Sequence, residues 1–341
     1  MNILFSISHP AHIHFFRNSI PILKLHGHKV TVVARDKDVT LELLDNYGIE
    51  HTVLTSKKGG IFGSISELFQ YQIKLYDILI RRKIDLILSI GAVLNAHISK
   101  VLGIPCFQFY DTEHAWFQNF ITYPFISKIF TPSCFEKRMG WKHLVYEGYH
   151  ELAYLHPNYF EPDSTIRERL KVLNDEKYIV FRFIAWDATH DWGKTGFSLE
   201  DKKYLVKELS KYVRVFITSE SELSQDLEAF KLKTPSHLIH DVLSFASLYI
   251  GEGATMASES AVLGTPAIYV NPLTAGTIRE QENQFGLLHH FNGDAKGVLN
   301  KALELLSKPN LNEDCKVLRN NLLSKRIDVT EFIVSCVDKM A

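Results

Sequence analysis

Between Gly251 and Pro266 the chain reads GEGATMASESAVLGTP, a stretch that few folds can use. A short apolar strand candidate, Ser247 to Ile250, runs into it, and Gly264-Thr265-Pro266 stops the Ala-, Ser- and Glu-rich helix that follows. Strand, small-residue turn and helix start together make a phosphate-binding arrangement. The first N–H groups of a helix have no partner within it, the helix dipole adds positive potential there, and Gly253-Ala254 let a diphosphate approach the backbone. Glu259 falls about one turn beyond that site, on a face where a carboxylate can accept from two neighbouring ribose hydroxyls. A tight strand-to-helix turn with a surface glutamate explains the same letters, because one Gly-x-Gly turn is not specific.

Upstream, the chain alternates strands and helices as α/β proteins do. Asn2 to Ser8 reads as a buried parallel strand, Ile13 to His26 as a helix and Lys29 to Ala34 as a strand, a first βαβ unit. Ligands of open parallel sheets lie beyond the carboxyl ends of strands, which puts the loop Ser8-His9-Pro10-Ala11-His12-Ile13-His14 on the functional edge. Its histidines suit metal binding, proton transfer or phosphate contact, or are solvated bystanders. After a helix from Asp36 to Gly48 and a strand from Glu50 to Leu54 comes a long helix, Ser64 to Arg82. Its face of Ile65, Leu68, Phe69, Ile73, Tyr76 and Ile80 reads as core-facing, with Arg81-Arg82-Lys83 complementing the helix dipole.

Strand Asp85 to Ser89, helix Val93 to Leu102 and strand Cys106 to Tyr110 lead to Asp111-Thr112-Glu113-His114. Three ionisable groups in four residues at a strand's carboxyl end are poor packing residues. Asp111 and Glu113 can shift each other's pKa, leaving one able to act as a base. A metal set of Asp111, Glu113, His114 and His12 has suitable atoms, but alternating carboxylates and histidines do not fix ligand geometry. Strand Ile129 to Pro132, a helix-like Phe135 to Met139 and strand Leu144 to Glu147 follow. The turn residues from His156-Pro157 to Pro162-Asp163 suit a linker, with the boundary near Tyr154.

The second half reads as helix Ser164 to Leu170, strand Tyr178 to Ile184, a polar loop Ala185 to Lys194 carrying Trp186 and Trp192, helix Lys202 to Tyr212 and strand Val213 to Thr218. A short helix Leu223 to Phe230 and a short strand Leu238 to His240 precede the Gly251 stretch. Beyond it come strand Ala267 to Val270, the loop Asn271 to Thr277, and helices Ala295 to Leu306, Asp314 to Ser324 and Ile327 to Met340.

With 341 residues, 46% hydrophobic and 23% charged, the chain is long enough for two α/β domains. A net charge of −1 carries no footprint for nucleic acid. Cys106, Cys134, Cys315 and Cys336 lack CxxC spacing and fit reduced thiols, no apolar run reaches membrane-spanning length, and MNILFSISHP enters a strand without a basic leader. These signs suggest a cytoplasmic protein.

The Gly251 stretch resembles the nucleotide-sugar site in the C-terminal domain of GT-B proteins. The undecaprenyl-linked N-acetylglucosaminyltransferase of peptidoglycan synthesis and the UDP-GlcNAc 2-epimerases carry a similar turn, then Glu, then Leu-Gly-x-Pro. The matching residues are Gly253-Ala254-Thr255-Met256, Ser258-Glu259 and Leu263-Gly264-Thr265-Pro266. Over its whole length the chain resembles the DUF354 family within that group. The resemblance implies an α/β, GT-B-like fold of two Rossmann-like doubly wound domains facing a cleft. Residues 1–154 would form the acceptor side, 155–325 the nucleotide-sugar side, and 326–341 a helix packing back on the first domain. It implies an NDP-sugar donor, a glycan or lipid-linked acceptor, and neither a catalytic metal nor a cofactor. By the same resemblance Arg182 or His190 meets the diphosphate, Glu282 and Asn283 hold donor-sugar hydroxyls, and His12, Asp111 or Glu113 deprotonates the acceptor. GT-B enzymes with lipid-linked acceptors often carry basic and apolar residues in the N-terminal domain, so the Ser64 helix has a second reading as an acceptor or membrane-surface region. The expected activity is metal-independent glycosyl transfer. A 2-epimerase is the alternative, weakened by the absence of the epimerases' contiguous His-Arg-Arg-Glu-Asn, and a noncatalytic sugar-nucleotide-binding subunit is the third reading.

Overall fold

A computed structural model describes residues 1–57, 59–91, 93–113, 120–184 and 196–340. The chain divides into two compact units, Met1–Tyr159 with Ile327–Ala341, and Phe160–Arg326. Each is a wholly parallel sheet with helices; its inner strands are short runs of branched and aromatic residues buried on both faces, as such strands require, while its edge strands are partly exposed.

The first unit has seven strands: β1 Asn2–Ile7, β2 Lys29–Asp36, β3 Thr52–Ser56, β4 Leu86–Ile90, β5 Cys106–Phe109, β6 Lys128–Pro132 and β7 His143–Tyr146. They lie in the order β3-β2-β1-β4-β5-β6-β7, so the winding direction reverses between β1 and β4. The second unit has β8 Tyr178–Phe183, β9 Arg214–Ser219, β10 Leu248–Gly251, β11 Ala267–Val270 and β12 Leu288–Phe291 in the order β12-β11-β10-β8-β9, reversing between β8 and β10. Such reversal points open crevices at the carboxyl ends of the strands, where ligands of doubly wound sheets bind.

Several local expectations change. The histidine-rich segment after β1 is helical from Pro10: the His9 side chain caps the N–H of Ala11, and Pro10 occupies the first turn, where its missing N–H costs nothing. The single helix expected over Ile13 to His26 is two helices, Pro10–Phe16 and Ser19–Leu25, because Pro21 has no N–H for the Arg17 carbonyl and its ring would clash with it. Phe135 to Met139 forms no helix, and Leu238 to His240 is no strand: the 3₁₀ turn Ser236–Leu238 runs directly into the helix Ile239–Ser244. Strand β12 was not expected. His289 and His290 disguise it, although His290 stacks on Tyr269 and its ring is 2.7 Å from the Asn271 carbonyl oxygen.

The long helix Gly60–Arg81 turns the other way round from expectation. Its core stripe is Tyr71, Leu75 and Leu79, while Phe69, Ile73, Tyr76 and Ile80 are exposed. Both faces are apolar, so periodicity alone could not choose between them.

Tyr154 lies within the buried helix Leu152–Leu155, so the first unit continues past it to Tyr159. The terminal helix Val329–Asp338 returns to that unit: Thr330 donates to the Ala153 carbonyl (2.6 Å), and Asp338 lies 2.9 Å from both His26 Nδ1 and His28 Nε2. Among the described residues no helix is long and apolar enough to cross a membrane.

Candidate functional site

In the second unit the Gly251 stretch sits at the reversal point. Strand β10 ends at Gly251, Glu252 turns the chain, and Gly253 is the N-cap of the helix Ala254–Leu263. Gly253 brings no capping side chain, and the first turn, Ala254, Thr255 and Met256, is half-buried or exposed. The two glycines differ in what requires them. A Cβ on Gly251 would overlap the Tyr249 hydroxyl and come within 2.9 Å of Arg182 Cβ, so the packing of β8 against β10 excludes it. A Cβ on Gly253 would meet Ile184 at 3.5 Å and Arg182 at 3.8 Å, ordinary contacts, and its φ of −90° suits any residue. The fold itself does not need glycine at 253; close approach by something outside the chain would.

Arg182 lies beside this turn near the end of β8. Its guanidinium donates to Thr218 Oγ1 at 2.8 Å and to Glu220 Oε1 at 2.7 Å, both at the end of β9. Glu252, to which sequence reasoning gave no role, is completely buried. Its carboxylate accepts the N–H of Ile184 (3.2 Å) and of Phe197 (2.9 Å) and lies 3.1 Å from the Lys202 ammonium, while Asn271 Nδ2 donates to its carbonyl. One carboxylate thus ties the end of β8 to the segment before the helix Leu199–Leu209, directly under the turn.

Glu259 is buried, not a surface residue, and its Oε1 is 3.0 Å from Nε2 of His240, itself buried in the helix Ile239–Ser244. Ser258 Oγ accepts from Gln281 Nε2 at 2.8 Å, and Glu282 Oε1 accepts the His290 N–H at 2.8 Å, ties that hold the helix Gly276–Asn283 against its neighbours. Asn283 is exposed. His190, Trp186 and Trp192 lie outside the described residues, as does His114.

In the first unit the structure gathers His12, Asp111 and a histidine that sequence reasoning passed over, His150. The only sequence signal for it is position, just beyond the carboxyl end of β7. His150 packs against Phe15 and Tyr146, and its Nδ1 donates to Asp111 Oδ2 at 3.2 Å. Its Nε2 is buried without a hydrogen-bond partner among the described residues. Burial works to raise the Asp111 pKa, but His150, the Thr112 hydroxyl and His12 outweigh it and hold the carboxyl at about 2. Asp111 is therefore ionised at neutral pH, with 37% of its side chain exposed. Glu113 goes elsewhere: its buried carboxylate accepts the Glu136 N–H at 3.2 Å, and Lys137 donates to its carbonyl.

His12, also buried, accepts the Ser8 N–H at Nδ1 (3.3 Å), so its neutral ring carries the proton on Nε2. Burial, then His9, lowers its pKa from 6.5 to about 3, against the pull of Asp111. Because the folded value lies below the unfolded one, the unfolded chain binds the extra proton, and stability should fall as pH drops from 6.5 toward 3. The steepest slope for one such group is about 1.4 kcal/mol per pH unit. Asp111 adds its own loss below its ordinary value of 3.8. His12→Gln should flatten the urea midpoint between pH 6.5 and 4; an unchanged slope would assign the effect to another group.

The fold has solved relatives. A UDP-GlcNAc 2-epimerase from Neisseria meningitidis, bound to UDP-GlcNAc, superposes with a TM-score of 0.71 at 13% identity, covering 99% of this chain and 100% of that one. For MurG from Acinetobacter baumannii the TM-score is 0.58 at 16% identity, with coverage of 99% and 100%. At such identities the likeness establishes the architecture: an α/β, GT-B-type fold of two Rossmann-like domains, shared by epimerases and glycosyltransferases. An uncharacterized protein from Methanocaldococcus jannaschii is 22% identical over 321 residues, 90% of this chain and 92% of that one. The model of the family described as "Protein of unknown function (DUF354)" matches residues 1–337, and the chain belongs to that family.

Proposed function

We propose that this protein is a metal-independent glycosyltransferase that moves a sugar from a UDP-linked donor to a hydroxyl of a glycan or lipid-linked acceptor in cell-surface polysaccharide synthesis. The observation that carries the reading is the open turn at the reversal point of the second unit, with a glycine at 253 that the fold does not itself require. The donor's diphosphate rests on the N–H groups of Ala254 to Met256 beside Arg182, and Glu259 faces the ribose. In the first unit Asp111 holds and then accepts the acceptor's hydroxyl proton, while His12 donates through Nε2–H. The bond from the sugar's anomeric carbon to the diphosphate breaks with its electrons going to the leaving group, and the bond to the acceptor oxygen forms.

Epimerisation is the second reading, favoured by the higher TM-scores of the epimerases. It would require a base that removes a carbon-bound proton, and efficient bases titrate near the working pH. Asp111, held at about 2, matches that demand poorly. It is better suited to orient a hydroxyl that becomes acidic only as its bond to the sugar forms.

Thermal shift with UDP and UDP-sugars tests the turn. Gly253→Ala should keep the melting temperature of the free protein but weaken UDP binding by about tenfold or more, whereas Gly251→Ala should lose about 1–3 kcal/mol of stability through overpacking. Wild-type affinity in Gly253→Ala would remove the diphosphate from this turn. Mass analysis after incubation decides the reaction: a 2-epimer, or free epimerised sugar, would replace transfer by epimerisation.

A further inference from the structure

Glu259 is the one ionisable residue in the buried run Ala257 to Leu263 of the helix Ala254–Leu263, and its side chain keeps only 7% of its surface exposed. A carboxylate in such a place is costly, and where packing alone mattered an apolar residue would be the more stable choice. Glu259 lies five residues past Ala254, about 7.5 Å along the axis, and helix side chains lean toward the N-terminus, which brings the carboxylate back toward the Gly253 turn.

One histidine holds it. His240 Nε2–H donates to Glu259 Oε1 at 3.0 Å, and His240 is itself buried, with the Phe160 ring edge-on at 6.1 Å. The helix Ile239–Ser244 is anchored by other means. The Tyr178 hydroxyl donates to the Val242 carbonyl at 2.6 Å, the Thr265 hydroxyl donates to the Leu243 carbonyl at 2.7 Å, and Val242 and Leu243 are completely buried. Thr265 follows the end of the Glu259 helix, so these ties already join the two helices. What the His240 ring adds to them is a fixed direction for the Glu259 carboxylate.

We infer that His240 is a positioning residue for ribose recognition: it holds the Glu259 carboxylate where a 2′,3′-diol meets an acceptor already in place, and so restricts the ligand to ribonucleoside diphosphates. The inference rests on the reading of the Gly253 turn as a nucleotide site. A glutamate without the tie samples several rotamers, and ordering them on binding weakens the complex; held by His240, it loses little freedom when the ligand arrives. A carboxylate offers about four acceptor positions, so a bond at Oε1 leaves it able to take a hydroxyl. A ligand lacking both hydroxyls desolvates the carboxylate without supplying donors and is rejected.

Calorimetric titration of the full chain with UDP and with 2′,3′-dideoxy-UDP tests it. The wild type should prefer UDP by about 100-fold, roughly tenfold per hydroxyl. His240→Met removes the donor and keeps an apolar filling; the preference should fall below about tenfold, through weaker UDP binding with the dideoxy affinity unchanged. His240→Asn, polar but too short to reach Oε1, should do the same. His240→Gln, whose amide can present an N–H where Nε2 stands, should keep most of the preference. A histidine that serves the fold alone would weaken both ligands equally or neither, and either result in the methionine and asparagine variants would overturn the inference by itself. A wild type that binds UDP and its dideoxy analogue equally would remove Glu259 from the ribose, and the inference with it. A wild type that binds neither would overturn the reading of the turn as well.

Discussion

Glu252→Ala is expected to destabilise the second unit by about 3–5 kcal/mol, the usual cost of removing one member of a buried, hydrogen-bonded ion pair. The wild-type carboxylate compensates two backbone N–H groups and an ammonium in a position with no water access. Alanine leaves the N–H groups of Ile184 and Phe197 and the Lys202 charge without their acceptor, and each buried orphan carries its own desolvation cost. Glu252→Gln should lose less, because one oxygen still accepts, but its amide hydrogens face the donors that the second oxygen served. Adding Lys202→Met to the alanine variant should recover part of the loss, since the stranded cation disappears with the carboxylate. Urea unfolding measures all three; a wild-type midpoint for the alanine variant would show that the carboxylate holds nothing. The same change should weaken UDP binding, because Glu252 is the residue between Gly251 and Gly253.

That carboxylate also shows where sequence reading stops. GEGATMASES announces a strand, a turn and a helix start, and the structure has them: β10 ends at Gly251 and the helix begins at Ala254. Small residues can be read because their reason is local, a close approach or a helix terminus. Glu252 has partners 55 and 68 residues away in sequence, which no local pattern specifies. The same holds for Glu259, whose His240 partner lies on another helix. Strand order was legible in class but not in detail. Apolar runs gave parallel strands, whereas β12 hides two histidines whose ring contacts exist only after the sheet forms.

The Gly60–Arg81 helix illustrates a different limit. A helix apolar on one side reports which face is buried; one apolar on two sides does not. Leu68 to Ile80 offers both Tyr71-Leu75-Leu79 and Phe69-Ile73-Tyr76-Ile80, each at helical spacing, and only the sheet beneath selects the first. In the first unit the carboxyl ends of strands drew attention to His12 and Asp111, which the structure brings together, but position could not say that Glu113 would bind the Glu136 backbone or that His150 would reach Asp111.

Asp111→Asn should lower turnover by about 10²–10⁴-fold, the range for losing a positioned acid–base group, while leaving UDP affinity within about twofold of wild type. The substitution is chosen to spare the fold, since the amide oxygen can still accept from His150 Nδ1–H in the geometry that the carboxylate uses at 3.2 Å. In the proposed transfer reaction it removes the negative charge that would draw the hydroxyl proton and balance positive charge on the sugar ring. His150→Gln should behave differently, because it touches Asp111 rather than the reacting atoms. Removing its hydrogen bond lets the Asp111 pKa rise from about 2, so activity should acquire an acid limb at higher pH than the wild type shows. The sign follows from the state required. In the proposed reaction Asp111 works as the carboxylate, so activity should be lost as pH falls through its pKa, and a higher pKa should move that loss upward. A pH–rate profile for His150→Gln that overlays the wild type would separate His150 from Asp111. Wild-type turnover in Asp111→Asn would remove the carboxylate from the reaction, and with Glu113 engaged in the fold and His12 protonated on Nε2, the base would have to be sought outside this cluster.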